Sequence, residues 1–214
     1  MLRFQRLPSF RSTSLHTDVG APPPDAFGPY RVLHQVGIGI LGPVFRAYDP
    51  DRDRLVAVKL FRLEQPPDRA HRLVAELEQL IARRIEHPAI IAPLAAGLAD
   101  TSAYLVTDFV SADASDVYFR GRTQRLVAEV RRVVAPVVGA LSAACVANMR
   151  HGSLHPRDIL VAEDDVRLNG LGIAQAFERA GLAVSVRRPY ASPERLAGEP
   201  WTAAADGFSV AALS

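Results

Sequence analysis

Lys59 is the only lysine in a chain with 25 basic residues; the other 24 are arginines. An ammonium is a compact point charge and a guanidinium a planar fork, so Lys59 offers something the arginines do not imitate. It follows "GIGILGPV", in which Gly37, Gly39, Gly42 and Val44 fit G-x-G-x-x-G-x-V. Glycines so spaced let backbone N–H groups approach phosphate oxygens without side-chain interference. Alone the pattern is weak, because any glycine-rich hairpin can match it. A second stretch with chemical potential is "HGSLHPRDIL", residues 151 to 160. It has the frame of a catalytic loop, with a leading histidine, a proline and an apolar tail. Ser153 stands where such a loop would carry its working carboxylate. Asp158 is the loop's one carboxylate, an oxygen ligand suited to a hard cation.

Two rival chemistries fit these residues poorly. His151 and His155 are four apart, as in a helical zinc pair, but Gly152 and Pro156 oppose a helix and the glutamate of H-E-x-x-H is missing. Ser153 near a histidine suggests a nucleophile, yet no orienting acid or G-x-S-x-G elbow accompanies it.

The elements that must position these residues are legible. "YRVLHQVG" alternates apolar and polar residues as a half-buried strand does, "IGILG" is a turn, and "PVFRAYD" and "LVAVKLF" are two further strands. The glycines therefore lie in a hairpin, with "VAVK" in the next strand, and not before the helix of a dinucleotide fold. "PPDRAHRLVAELEQLIARRIEH" reads as a helix with Leu73, Leu77, Leu80, Ile81 and Ile85 at helical spacing. "AIIAPLAAGLA" and "SAYLVTDFV" read as strands. "TQRLVAEVRRVVAPVVGALSAACVANM" is a long helix with a bend expected at Pro136. After the histidine-led loop come two short strands, "ILVAE" and "VRLNG", an irregular stretch, and an apolar run "DGFSVAALS".

Composition bounds the function. At 214 residues the chain suits one large domain or two small lobes. A net charge of +2 gives no ground for a nucleic-acid partner. No apolar run approaches the ~18 residues of a membrane span, and the Arg/Ser-rich start lacks a secretory apolar core. The single cysteine, Cys145, excludes an internal disulfide and is expected to be an inert core thiol. Residues 1–28 read as a disordered leader, 29–110 as one lobe and 111–214 as a second.

From about Tyr30 onward the chain resembles the protein kinase family. Six pieces appear in order. "EHPAII" resembles the segment after the αC helix, "AYLVTDFV" the strand and hinge that hold adenine, and "HGSLHPRDIL" the loop H-R-D-L-K-P-x-N-I-L. "LNGLGIA" resembles the D-F-G segment, "YASPE" the A-P-E region, and "AADGFSVAAL" the start of αF. The resemblance implies an α+β, bilobal protein-kinase-like fold with a β-rich N-lobe and a mainly helical C-lobe that this chain follows only as far as αF. Further C-lobe helices would then be wanting, leaving Glu194 without its usual basic partner and apolar surface open to aggregation or to a protein partner.

The resemblance also implies roles. Gly37, Gly39 and Gly42 would cover ATP phosphates, and Lys59 would contact them while pairing with an αC carboxylate. Spacing to His87 points to Glu78, with Glu76 an alternative that periodicity does not settle. Val44, Ala57 and Leu160 match the walls around adenine, Thr107 the gatekeeper, and Asp108 to Val110 the hinge. His151 and Leu171 match the apolar spine that joins the lobes.

Departures fall on the chemistry. The family's catalytic Asp is Ser153, whose hydroxyl has no useful basicity near pH 7, while a positioned general base contributes roughly 100- to 10,000-fold. The metal-binding Asp of D-F-G is Gly170, the loop Lys is His155, and the loop Asn is Asp158, the one candidate left for Mg²⁺. Arg187 replaces the threonine before A-P-E, and Ser185 is the only hydroxyl for loop phosphorylation between Gly172 and Ser192 short of Tyr190. The expectation is a cytoplasmic pseudokinase that binds ATP weakly and with little dependence on Mg²⁺. Its rivals are an active Ser/Thr kinase with atypical motifs and an interaction domain that binds no nucleotide.

Overall fold

The computed structural model describes residues 24–62, 67–120 and 127–213. A six-stranded antiparallel sheet forms the N-lobe from β1 (Ala26–Phe27), β2 (Tyr30–Gly39), β3 (Gly42–Asp49), β4 (Arg54–Phe61), β5 (Pro93–Ala99) and β6 (Ser102–Asp108). Their order across the sheet is β1-β2-β3-β4-β6-β5. Its two faces follow from residue parity. Phe45, Ala47, Val56, Val58, Tyr104 and Val106 form a small core under Phe27 and Tyr30. Phe61, Ala103 and Leu105 face the other way, onto α1 (Pro67–Ala82). Leu73, Leu77 and Leu80 are the buried stripe of that helix, as their spacing predicts.

The first β-strand moves the expected boundary. Phe27 is buried against Phe45 and Tyr104, with ring centroids 5.2 and 5.6 Å away. The fold thus begins before residue 29, because an aromatic ring is needed to close the outer face of the sheet; residues 1–23 lie outside the described residues.

The C-lobe contains β7 (Asp113–Ala114), α2 (Ser115–Tyr118), α3 (Val127–Val146), β8 (Ile159–Val161), β9 (Val166–Leu168), α4 (Ile173–Arg179), α5 (Pro193–Leu196) and α6 (Ala203–Leu213). Helix α3 runs through Pro136 without interruption. Its inner face is Val133, Val137, Ala140 and Ala144. Cys145 lies one step round the helix and is exposed, which corrects the expectation of a core thiol. The neighbouring Ala144 takes the buried position instead.

Helix α4 falls in a stretch expected to be irregular. It is only seven residues long, starts at Gly172 in the left-handed region (φ 78°), and has no side-chain cap to announce it. Packing supplies what local signals lack: Phe177 meets Phe61 edge-on at 5.1 Å. The lobes are also stitched by backbone. Leu168 N–H donates to Ala89 O at 2.7 Å, and Ile91 N–H donates to Leu168 O at 2.9 Å.

Candidate functional site

The antiparallel register places the N-lobe candidates on one patch. Val44 lies opposite Lys59, Ala57 opposite Thr107, and Lys59 opposite Leu105. Ala57 and Lys59 share the face of Phe61, so the lysine stands where the sheet passes from the α1 core to the cleft. Gly39 covers it: a Cβ built there would be 3.8 Å from Lys59 Cε. A Cβ on Gly37 would meet nothing within 4 Å. Gly42 serves the fold directly, since at φ 138° a Cβ there would overlap Leu60 O.

The hinge side is formed by buried Thr107, exposed Asp108 and partly buried Val110. Asp108 is held by Arg54 at 2.9 Å. Arg46, opposite Ala57 in the register, lays its guanidinium over the Phe109 ring at 4.8 Å. Leu160, on β8, is partly buried and approaches from the C-lobe.

The αC carboxylate behaves differently from expectation. Glu78 is exposed, and Lys59 forms no ion pair among the described residues. Two residues advance a helix by about 200°, so Glu76 and Glu78 cannot serve the same neighbour. Glu76 is the inward one of the two, and it pairs with Arg179 of α4 at 3.8 Å. Helix α4 lies against α1 and its Arg179 is the partner of Glu76, so neither glutamate pairs with Lys59 among the described residues. The charges Lys59 does feel are those of Asp158, which supports its ammonium, and Arg187, which opposes it. Burial is the larger influence, and it pushes the ammonium below its ordinary value.

The histidine-led loop is anchored from below. Asp206 of α6 is buried and accepts hydrogen bonds from His151 N–H and Gly152 N–H, both at 2.8 Å. Sequence reasoning missed this residue; a lone carboxylate inside an apolar helix was the available signal. His151 is buried, with Nε2 2.9 Å from Asn169 O, and Leu171 is buried beside it in the inter-lobe core. Ser153 is partly buried, its N–H directed to His151 Nδ1 at 3.4 Å. His155 accepts from Arg157 N–H at 3.1 Å and packs edge-on against Tyr190 at 5.1 Å. Burial first, then Arg187, hold its imidazole below the ordinary histidine value.

Asp158, the candidate metal ligand, is already engaged. Arg187 Nη1 donates to its Oδ2 at 2.7 Å, and the two side chains are 11% and 12% exposed. Gly170 adds no second carboxylate; a Cβ there would lie 4.0 Å from Asp158 Oδ1 and 3.4 Å from His151 Nε2. Among the described residues no three His, Cys, Asp or Glu side chains gather as a metal site requires. The residues present do not fit a divalent ion: one carboxylate, neutralised by a guanidinium, is a poor seat for a hard cation.

Fold and site together define a protein kinase domain. Residues 30–214 match the protein kinase domain family, and the chain belongs to it. It is 32% identical over 192 residues to the serine/threonine-protein kinase PknE of Mycobacterium tuberculosis, covering 86% of this chain and 33% of that protein. It is 28% identical over 193 residues to PknJ of the same species, with the same two coverages. The chain thus spans about a third of the length of the curated relatives it matches. A crystal structure of the M. tuberculosis PknI kinase domain superimposes with a TM-score of 0.72 at 22% identity, over 90% of this chain and 74% of that one. That likeness concerns the fold.

Proposed function

We propose that this chain is a pseudokinase domain, a nucleotide-site-bearing regulatory or binding module with phosphoryl transfer at background level. One observation carries the reading. Asp158, the one carboxylate of the histidine-led loop, is neutralised by Arg187 at 2.7 Å, while Ser153 and Gly170 stand at the base and metal positions of the family. ATP, when bound, would supply the transferable phosphoryl group. Lys59 and the glycine hairpin would hold its phosphates, but Ser153, at the family's base position, has no carboxylate to accept a hydroxyl proton from a substrate.

The relatives named as serine/threonine-protein kinases favour the second reading, an active kinase with atypical motifs. Incubation with γ-labelled ATP, Mg²⁺ and a generic Ser/Thr substrate separates the two. Label should not rise above that of Lys59→Ala; robust Lys59-dependent transfer would establish the kinase reading instead. Cytoplasmic location and a protein partner at the C-lobe belong to the same proposal. Among the described residues no helix is long and apolar enough to cross a membrane.

A further inference from the structure

Arg187 reaches the site from the segment before α5, 29 residues beyond the carboxylate it holds. Nη1 is engaged with Asp158, whereas Nε is buried and has no hydrogen-bond partner. A guanidinium carries five N–H donors in a fixed fork, so one carboxylate oxygen leaves most of its donor capacity unengaged. Lys59 stands under Gly39 and forms no ion pair among the described residues, while Asp158 is held by Arg187; the charges of both act on the lysine. Burial of like charges is costly unless an anion compensates them. Gly170 contributes no negative charge that would repel such an anion.

We propose that Arg187 is the resident cation of this site, forming with Lys59 a metal-free seat for the phosphate chain of a nucleoside triphosphate. Arginine suits this task because its planar donors match phosphate oxygens in pairs. Asp158 acts as a positioning residue, holding the guanidinium in place. A divalent ion on the nucleotide would bring a further cation against Arg187, so free ATP binds at least as well as its Mg²⁺ complex. The inference rests on the nucleotide-site reading above.

The test is calorimetric titration of the full chain with ATP and with inorganic tripolyphosphate, each in EDTA and in excess Mg²⁺. Wild type should bind ATP in EDTA as tightly as in Mg²⁺, or more tightly. Arg187→Ala should weaken binding in EDTA by about tenfold or more, the worth of a charged hydrogen bond, and should gain a response to Mg²⁺ as Asp158 is freed. Arg187→Lys keeps the charge and loses the fork, so an intermediate loss is expected even where the alanine variant fails to fold. Unchanged affinity in EDTA for both variants would overturn the proposal. A strict Mg²⁺ requirement in wild type would overturn it and leave the nucleotide site standing. Binding of tripolyphosphate without ATP would support the cation seat and remove the adenine walls. Binding of neither in EDTA nor in Mg²⁺ would overturn both readings.

Discussion

Asp158→Ala removes the partner of a guanidinium that is only 11% exposed. An orphaned buried charge typically costs ~3–5 kcal/mol. Arg187 retains a thin solvent path, so the low end, ~3 kcal/mol, is the expected loss. For a domain of this size that is a fall in Tm of about 6–12 °C. Arg187→Ala leaves a buried acceptor without its partner and should cost ~2 kcal/mol. The double variant removes both charges and leaves neither stranded, for a loss of ~1 kcal/mol. The three losses imply a coupling of roughly 4 kcal/mol, beyond the usual range, and a measured value above ~1 kcal/mol already establishes the pair. Urea melts of the four proteins, with unchanged m-values, read this directly. Losses that add within ~0.5 kcal/mol would show that the two side chains do not depend on each other, and the neutralised metal position would lose its support.

Other consequences follow from single residues. Asp206→Ala strands the buried N–H groups of His151 and Gly152, so a loss of ~3 kcal/mol in urea melts is expected from two unmade bonds. Gly42→Ala should destabilise by ~2 kcal/mol or more, through its contact with Leu60 O. Gly37→Ala, where an added Cβ would meet nothing within 4 Å, should stay within ~0.5 kcal/mol. His155 has a folded-state value below its unfolded one. The unfolded chain therefore takes up the proton first as pH falls below about 6.5, and stability declines from there. Above that pH the contribution is full and flat. The difference in urea midpoint between wild type and His155→Ala should narrow on acidification; a constant difference would remove His155 from the account.

Strand β3 and helix α1 were legible because each buries one face more deeply than the other, and β6, buried on both faces, from its short apolar run. Alternation in "PVFRAYD" marks Phe45 and Ala47 as inward, and the leucine stripe of α1 is unambiguous. Helix α4 was not legible. Ile173, Ala174, Ala176 and Phe177 are buried on several sides, so no amphipathic period shows, and its capping residue is a glycine. That Glu76 pairs with Arg179, and neither it nor Glu78 with Lys59, was hidden for the same reason: Arg179 lies a hundred residues away on an element that local pattern does not reveal. Ser153 and Gly170 were singled out by comparison with the family's motifs. That Arg187 closes on Asp158 was not, because the contact is made by tertiary packing of a loop. Cys145 shows the limit of apolar surroundings as a guide, since one residue's rotation about α3 carries it from core to solvent.

Total ATP turnover tests the central claim most directly. ADP formation counts both transfer and hydrolysis, and it needs no knowledge of a substrate. With ATP in excess and Mg²⁺ present, the wild-type protein and Lys59→Ala are expected to share the same background rate. A rate in the wild type that is well above background and abolished by Lys59→Ala would contradict it.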